Sequence, residues 1–203
     1  MIKFITLGPV GSNHQLVVER YVQFQGLEGK ASIEFFKTFA EGSARILDGS
    51  ADFMLQCAVH PETVDTVARY SQGLYVIDTF ISPSRDLAVI RDRRAPPPTS
   101  IALMNPTRDY TDPARWGEVV SMPTVVAVAQ GLREGRFARG LTYASVAAED
   151  PERFEVEEFI GSVDDAWIVY GRERVSGGKL LAWPGSPASK IFAHLRGSAV
   201  EVA

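Results

Sequence analysis

The chain has 203 residues, of which 45% are hydrophobic and 23% are charged, and its formal net charge is −4. This length suits one domain, or two closely joined lobes, with a sizeable core. The acidic balance argues against the clustered basic face of a nucleic-acid-binding protein. Cys57 is the only cysteine, which excludes an internal disulfide and a thiolate metal site.

The first residues and the hydropathy pattern predict a cytoplasmic protein that does not bind a membrane. Residues 1–7 are too short an apolar run, and too soon followed by Gly-Pro, to be a signal peptide. No apolar stretch approaches the roughly 18 residues that span a bilayer. His14, His60 and His194 are far apart in the sequence and lack the short spacings of a zinc site, so we expect no metal.

The first third of the chain alternates between strands and helices. Short apolar β-branched runs predict the strands, and apolar residues at helical spacing after a capping residue predict the helices. In chain order these are a strand over 2–7, a helix opened by Ser12 or Asn13, a strand over 32–36, a helix capped by Thr38, a strand over 52–59 and a helix over 61–70. This alternation predicts a mostly parallel sheet with helices on its faces.

The rest of the chain predicts a second, smaller lobe. Two strands, over 74–80 and 86–91, look like a crossing from one lobe to the other. They are followed by strands over 100–104, 118–120, 141–143, 154–159 and 166–170, a helix over 123–134, a return crossing at 177–178 and a last helix over 187–195. The expected fold is a single α/β domain, with lobe 1 over about 1–84 plus 176–203 and lobe 2 over about 85–175. A ligand cleft lies between the two lobes.

The loop over 8–14 is the first candidate for ligand binding. Glycines such as Gly11 let the backbone turn sharply, and the helix start that follows favours an anion. Ser12, Asn13 and His14 add side-chain donors. The alternative is a tight turn with an ordinary N-cap, and the loop alone does not decide between the two.

The second lobe has a similar helix start over 119–124. Here Ser121 is the expected cap, Met122 borders the cleft, and Thr124 can reach across it. An ordinary cap is the alternative interpretation. Two helix starts that face one cleft favour a ligand more than either does alone.

Two arginines are candidates for binding a carboxylate. The loop after the strand over 100–104 offers Asn105, Thr107 and Arg108, and Arg108 could pair bidentately with a carboxylate or simply lie on the surface. Arg85 stands at the crossing between lobes, where it either faces the cleft or pairs with a nearby acid.

Residues 56–61, between a predicted strand and a predicted helix, include the groups most able to react. Gln56 and Cys57 are expected to face the ligand, although a small buried thiol is the alternative for Cys57. His60 and His14 are the candidates for proton transfer, and the alternative for His60 is a helix cap.

In the order of these motifs, the chain resembles the prephenate dehydratase family. Residues 6–12, Thr-Leu-Gly-Pro-Val-Gly-Ser, resemble that family's opening strand and loop. Phe39 and the residues 51–53, Ala-Asp-Phe, resemble its next helix and strand. The resemblance covers roughly residues 1–175 and implies a two-lobe fold of the periplasmic-binding-protein type 2, with no cofactor.

Two departures from the family bear on the reaction. The late segment over 179–192 lacks the family's Thr-Arg-Phe motif, and residues 57–60 lack the acidic residue of its Pro-Ile-Glu-Asn loop. The single-domain prephenate decarboxylases of the bacilysin type also lack that motif and are similar in layout. The resemblance therefore implies a cofactor-free lyase acting on prephenate or a related cyclic or aromatic carboxylic acid, by decarboxylation or isomerisation more than by dehydration.

The alternative from another class is a non-catalytic binding or sensor protein for a small organic acid, because fold does not fix function. A homodimer through edge strands or crossing segments is a further expectation, and the only other partner expected is the small carboxylic acid itself.

Overall fold

A computed structural model of the chain describes residues 1–183 and 186–198. The chain divides into two compact units, Met1–Glu173 and Arg174–Ala203. The first unit contains both β-sheets and five α-helices. Within the second unit, one helix over Pro187–Ser198 begins after Ser186, whose side-chain oxygen accepts a hydrogen bond from the backbone N–H of Ser189 at 3.1 Å.

The elements largely follow the predicted order. The strands are β1 (Ile2–Leu7), β2 (Ala31–Phe36), β3 (Phe53–Cys57), β4 (Tyr75–Pro83), β5 (Leu87–Asp92), β6 (Ser100–Met104), β7 (Glu118–Met122), β8 (Arg139–Tyr143), β9 (Phe154–Gly161) and β10 (Asp164–Gly171). The helices are α1 (Asn13–Phe24), α2 (Phe39–Leu47), α3 (Thr63–Arg69), α4 (Val125–Arg133), α5 (Ser145–Glu149) and α6 (Pro187–Ser198). Short 3-10 helices follow β6, over Asn105–Tyr110 and Pro113–Arg115.

The first sheet has the strand order β2-β1-β3-β10-β4. Its central strand β1 runs parallel to both β2 and β3. β10 then pairs antiparallel with β3 and with β4, so the sheet is mixed at this side. Because β1 and β3 are parallel neighbours, the loops that follow Leu7 and Cys57 leave the same edge of the sheet.

The second sheet has the strand order β7-β6-β8-β5-β9. β6 runs parallel to β7 and to β8, and β5 pairs antiparallel with β8 and β9. The carboxyl ends of three parallel strands, at Met104, Met122 and Tyr143, therefore lie at one edge. With two α/β sheets of this kind, the chain has the predicted two-lobe fold.

The first sheet is covered on both faces. On one face, Phe4 packs with Val17 of α1. On the other, Ile5 packs with Ile46 of α2. Successive residues of a strand point to opposite faces, so a short apolar strand with helices on both sides buries all of its middle residues. Each such side chain contributes about 1.5–3 kcal/mol of burial free energy.

Three helices of the first unit begin at side-chain caps, and one predicted cap is wrong. Ser12, Thr38 and Thr124 each accept a hydrogen bond from a backbone N–H three residues further on. Ser121 is not the cap of α4, because the strand β7 continues through it and the helix begins only after Thr124. A Ser and a Thr are equally good caps by sequence, and the length of the strand decides between them.

The two chain crossings between the sheets lie side by side. The first connects β4 to β5, and the second, over 162–163, connects β9 to β10. The backbone N–H of Ser84 donates to the carbonyl oxygen of Val163 at 2.8 Å, and the N–H of Val163 donates to the side-chain oxygen of Ser84 at 2.9 Å. These two bonds tie the crossings together.

The return crossing is earlier than the sequence analysis expected. Residues 177–178 were expected to lead back to the first lobe, but Asp164–Gly171 already pair within the first sheet. The strand itself was predicted over 166–170, yet an apolar strand pattern does not tell which sheet the strand joins. The expected position of residues 176–203 in lobe 1 stays a prediction.

Candidate functional site

The start of α1 contacts the second lobe directly. The side-chain oxygen of Asn13 accepts a hydrogen bond from the backbone N–H of Arg85 at 3.0 Å. Burial raises the pKa of Tyr143, at the end of β8, while Arg85 and the backbone of Asn13 act in the opposite direction. The guanidinium of Arg85 lies 5.7 Å from the centre of the Tyr143 ring. Asn13, Arg85 and Tyr143 therefore form one cluster between the lobes, which we call the Arg85 cluster.

Within the described residues, no carboxylate pairs with the guanidinium of Arg85. Its Nε atom is buried and makes no hydrogen bond, while Asn13 is bound to its backbone rather than its side chain. A buried donor without a partner costs free energy, and one with a positive charge costs more. An anion is the natural partner for such a group, because a guanidinium binds a carboxylate through two parallel hydrogen bonds.

The loop over 8–14 satisfies most of its own hydrogen-bonding groups. The backbone N–H of Gly11, at a φ of 86°, donates to the side-chain oxygen of Gln15 at 2.6 Å. The side-chain oxygen of Ser12, which is buried, accepts from the backbone N–H of Gln15 at 3.3 Å. Gly11 and Ser12 thus shape the turn, because these hydrogen-bonding groups are used within the loop and the start of α1.

The structure brings two of the three histidines together in an aromatic cluster. The ring centres of His14 and His60 are 6.0 Å apart. The ring of Phe39 lies 5.9 Å from His14 and 4.8 Å from His60. Trp167 of β10 lies 5.1 Å from His14. This cluster stands at the carboxyl ends of β1 and β3. Phe39 and Trp167 are buried in it, and His14 and His60 are partly exposed.

Both histidines are neutral at neutral pH. Burial, with a smaller effect from His60, lowers the pKa of His14 to about 3. Burial also lowers the pKa of His60. Nε2 of His14 accepts the backbone N–H of Cys57 at 3.5 Å, and Nδ1 of His60 accepts the backbone N–H of Glu62 at 3.2 Å. His14 therefore brings no positive charge to a ligand at neutral pH. His60 binds a backbone N–H in the turn before α3 and is not the cap of that helix, whose N-cap is Glu62.

The Cys57 thiol is held in its protonated form. Burial raises its pKa to about 11, with a further contribution from Asp165, although the backbone N–H groups of Val59 and His60 act in the opposite direction. A thiol with such a pKa is a poor nucleophile at neutral pH. The interpretation of Cys57 as a small buried thiol is thus favoured over the interpretation as a nucleophile.

Two groups that the sequence analysis missed lie near Cys57. Tyr110, at the end of a 3-10 helix in the second lobe, has its pKa raised by burial, by Asp165 and by Cys57. Asp165, near the start of β10, has its pKa raised by burial and by Asp164. Asp165 lies near Cys57 in the first sheet, since Trp167 pairs with Cys57 and the backbone N–H of Ala58 donates to the carbonyl oxygen of Ala166 at 2.8 Å.

The loops of the second lobe have mainly internal contacts. The hydroxyl of Ser121 donates to the side-chain oxygen of Asn105 at 3.1 Å, which brings these two predicted residues together. Thr107 is buried and donates to the carbonyl oxygen of Met104, and Thr124 caps α4. Met122 is partly buried against the core below α4, and Arg108 is exposed.

Gln56 is a predicted site residue that the structure buries in the core. It is fully buried, and its side-chain nitrogen donates to the hydroxyl of Thr66 in α3 at 3.3 Å. Its side-chain oxygen makes no hydrogen bond. Because strand residues alternate between faces, Gln56 points into the sheet–helix interface and its neighbour Cys57 toward the other face.

Within residues 1–183 and 186–198, no group of three or more His, Cys, Asp or Glu side chains could hold a metal ion. In the same part of the chain, none of the helices has the length and apolar character needed to cross a bilayer.

Neither a protein-family model nor a curated protein matches the sequence, but solved structures match most of the chain. Prephenate dehydratase from Arthrobacter aurescens in complex with L-Phe has a TM-score of 0.62 at 18% identity, over 91% of this chain and 63% of that one. Prephenate dehydratase from Staphylococcus aureus has a TM-score of 0.58 at 11% identity, over 96% of this chain and 79% of that one. An ABC transporter protein from Parabacteroides distasonis has a TM-score of 0.52 at 11% identity, over 97% of this chain and 70% of that one.

At these identities the likeness establishes the fold, which is a two-lobe α/β domain of the periplasmic-binding-protein type 2. The chain spans less than two thirds of the first of these proteins. The strand that returns to the first sheet, β10, reads Asp-Asp-Ala-Trp at its start and has no Thr-Arg-Phe.

Proposed function

We propose that this chain binds prephenate or a related small cyclic or aromatic carboxylic acid between its two lobes and acts on it as a cofactor-free lyase. Decarboxylation or isomerisation fits the site better than dehydration. The observation that carries the proposal is the buried, unpartnered Nε of Arg85 beside Asn13 and Tyr143. A carboxylate bound there would satisfy a charged donor that the protein itself leaves without a partner.

The aromatic cluster supports a ring as the rest of the ligand. His14 follows Asn13 in α1, so an acid held by the Arg85 cluster would lie next to the partly exposed rings of His14 and His60, which we call the aromatic wall. Neutral imidazoles provide a surface that a sugar or a short aliphatic acid would use poorly. A cyclic acid would use both parts of the site, the Arg85 cluster through its carboxylate and the aromatic wall through its ring.

The site suits loss of carbon dioxide more than expulsion of hydroxide. A hydroxide leaving group needs a proton donor, and neither His14 nor His60 is charged at neutral pH. In a decarboxylation, the bond between the ring and the departing carboxylate breaks, its electron pair passes into the conjugated ring system, and water supplies the proton. Nδ1 of His60 is already an acceptor, so its Nε2 bears the hydrogen and can stabilise negative charge that develops on the ligand.

Binding without catalysis is the second candidate, and one observation favours it. Two side chains of this site that could react are in unreactive forms at neutral pH. The pKa of His14 is about 3, so its imidazole is neutral, and the pKa of Cys57 is about 11, so its thiol is protonated. A sensor or receptor for the same acid needs only the Arg85 cluster and the aromatic wall.

One experiment distinguishes the two candidate functions, a lyase and a non-catalytic receptor. Purified protein is titrated calorimetrically with prephenate and with ring-bearing acids, and each mixture is then analysed by mass spectrometry. The lyase predicts binding together with a product lighter by carbon dioxide or an isomer, and both disappear in Arg85→Gln. Binding without product favours the receptor. If no acid binds, or if Arg85→Gln binds as well as the wild type, the proposal is contradicted.

A further inference from the structure

Ser84 connects the two chain crossings to each other and to Arg85. It is buried and directly precedes Arg85 in the chain. Its backbone N–H donates to the carbonyl oxygen of Val163 at 2.8 Å, and its side-chain oxygen accepts the N–H of Val163 at 2.9 Å. The same hydroxyl donates to the carbonyl oxygen of Arg85 at 3.1 Å. A hydroxyl has one hydrogen to donate, so Arg85 receives the only hydrogen bond that this side chain can give.

Side chains therefore hold both polar groups of the Arg85 backbone. The N–H donates to the side-chain oxygen of Asn13, and the carbonyl oxygen accepts from Ser84. Arg85 lies between two strands, since β4 ends at Pro83 and β5 begins at Leu87, so it belongs to neither ladder. In such a segment, side-chain hydrogen bonds fix the backbone in place of regular structure.

We propose that Ser84 is a positioning residue of the acid-binding site, which fixes the backbone of Arg85 and thereby the direction in which the guanidinium meets a carboxylate. The inference rests on the proposed function, because it requires that Arg85 binds the acid. It goes beyond that function by making the site depend on the second crossing: Val163 holds Ser84, and Ser84 holds Arg85.

The physical reason is the geometry of an arginine–carboxylate pair. Two parallel hydrogen bonds need the guanidinium in one plane and one direction, and a small rotation of the backbone is magnified at the end of a long side chain. Without the Ser84 hydroxyl, the peptide group after Arg85 can rotate, so the acid has to order the arginine when it binds. The loss of one positioning hydrogen bond corresponds to about two- to tenfold weaker binding.

Ser82 provides a matched control in the same crossing. It is a serine buried to the same extent as Ser84, with 6% of each residue exposed. Its side-chain oxygen accepts from Arg20 at 3.3 Å and lies 3.5 Å from the carbonyl oxygen of Pro83, and it has no hydrogen bond to Arg85. That carbonyl oxygen also accepts from Arg20 at 2.7 Å, so it keeps a partner in Ser82→Ala. Ser82→Ala thus removes a buried hydroxyl without releasing Arg85.

The experiment compares Ser84→Ala, Ser84→Cys and Ser82→Ala with the wild type. Ser84→Cys keeps a side chain of similar shape and replaces the hydroxyl with a weak hydrogen-bonding thiol, so it provides a second test if Ser84→Ala does not fold. Calorimetric titration with para-methyl-phenylacetate gives each dissociation constant, and urea unfolding gives each stability. The Nε–H signal of Arg85 is followed by nuclear magnetic resonance and is assigned by its absence from the spectrum of Arg85→Gln.

In the wild type, the Nε–H signal should move downfield when the acid binds, because the hydrogen enters a charged hydrogen bond. We expect both Ser84 variants to bind about two- to tenfold more weakly and to show a smaller shift at saturation, and Ser82→Ala to match the wild type in both. Both alanine variants lose a buried hydroxyl, so stability alone would not separate them.

The inference is overturned if the Ser84 variants bind as tightly as the wild type, or if Ser82→Ala weakens binding equally. It is also overturned if the Ser84 variants bind more weakly but show the full shift at saturation, because the role of Ser84 would then be structural only. If the acid does not bind the wild type, or binds without moving the Arg85 signal, the proposed function itself fails.

Discussion

The side-chain oxygen of Asn13, at the first position of α1, accepts a hydrogen bond from the backbone N–H of Arg85 at 3.0 Å. This bond joins the first lobe to the crossing that leads into the second. It fixes the backbone of Arg85 while the Nε of its side chain stays without a partner. Asn13 thus positions the arginine that we propose binds the carboxylate, without contributing a charge of its own.

Replacement of Asn13 by alanine should weaken acid binding, because Arg85 loses the bond that positions its backbone. A hydrogen bond of this kind contributes about 0.5–1.5 kcal/mol, so the dissociation constant for an aromatic acid should rise about two- to tenfold, as measured by calorimetric titration. Asn105→Ala is the matched control, because Asn105 also has one side-chain hydrogen bond, to Ser121 on the surface. Equal binding by Asn13→Ala and the wild type would show that this bond does not position Arg85.

His14 should make the folded protein less stable in mild acid. Its pKa in the folded protein, about 3, lies below the value of 6.5 for a free side chain, so the unfolded chain binds a proton that the folded protein does not. This contribution is fully present above about pH 6.5 and is lost as the pH falls toward 3. The free energy of unfolding should therefore fall by about 1–2 kcal/mol more between pH 7 and pH 5 in the wild type than in His14→Gln.

Urea unfolding of both proteins at these two pH values gives that difference directly. The other titrating groups, including His60, are common to both proteins and cancel to first order. A His14→Gln variant whose stability falls with pH as steeply as that of the wild type would mean that His14 is protonated in the folded protein.

The Cys57 thiol should react slowly with alkylating reagents in the folded protein. Its pKa of about 11 leaves little thiolate at pH 8, so labelling by iodoacetamide should be at least about tenfold slower than for a free cysteine. Intact-mass spectrometry over time measures the rate, and the label has only one possible position because Cys57 is the single cysteine. In urea the rate should return to that of a free cysteine. Rapid labelling without urea would instead favour a reactive thiol.

Gly117 should be among the glycines least tolerant of substitution. It has a φ of 84°, and a Cβ atom there would lie 2.1 Å from the carbonyl oxygen of Thr99. Gly117→Ala should therefore lower the free energy of unfolding by about 3 kcal/mol or more, from backbone strain and steric overlap together. Gly29→Ala is the control, since Gly29 also has a positive φ, of 71°, but no atom within 4 Å of a Cβ.

In urea unfolding, the control should lose only about 1 kcal/mol, the cost of the left-handed conformation alone. Equal losses in the two variants would mean that the loop of Gly117 relaxes enough to avoid Thr99.

The fold was largely predictable because its local signals agree with one another. Ser12 and Thr38 cap helices where the sequence predicts them, and the alternation of elements in the first third of the chain gives the parallel core of the first sheet. The strand that contains Trp167 was also predicted. Its place in the first sheet depends on long-range pairing with β3 and β4, which the local periodicity of apolar residues does not predict.

The candidate site was predictable only in part. The structure joins Asn13 to Arg85, and His14 to both His60 and Cys57, and the sequence analysis had named all five residues as candidates. Other groups needed the structure: Tyr143 ends a short apolar strand and Asp165 begins one, positions that look structural in the sequence. Burial, which decides that His14 is neutral and that Gln56 lies in the core, depends on residues distant in the chain.

The most direct test of the central claim is a crystal structure of the protein with para-methyl-phenylacetate bound. We expect the carboxylate to accept hydrogen bonds from the Nε and a terminal nitrogen of Arg85, at about 2.7–2.9 Å, with the ring against His14 and His60. An acid bound elsewhere, with Arg85 still without an anionic partner, would contradict the claim that this arginine is the carboxylate site.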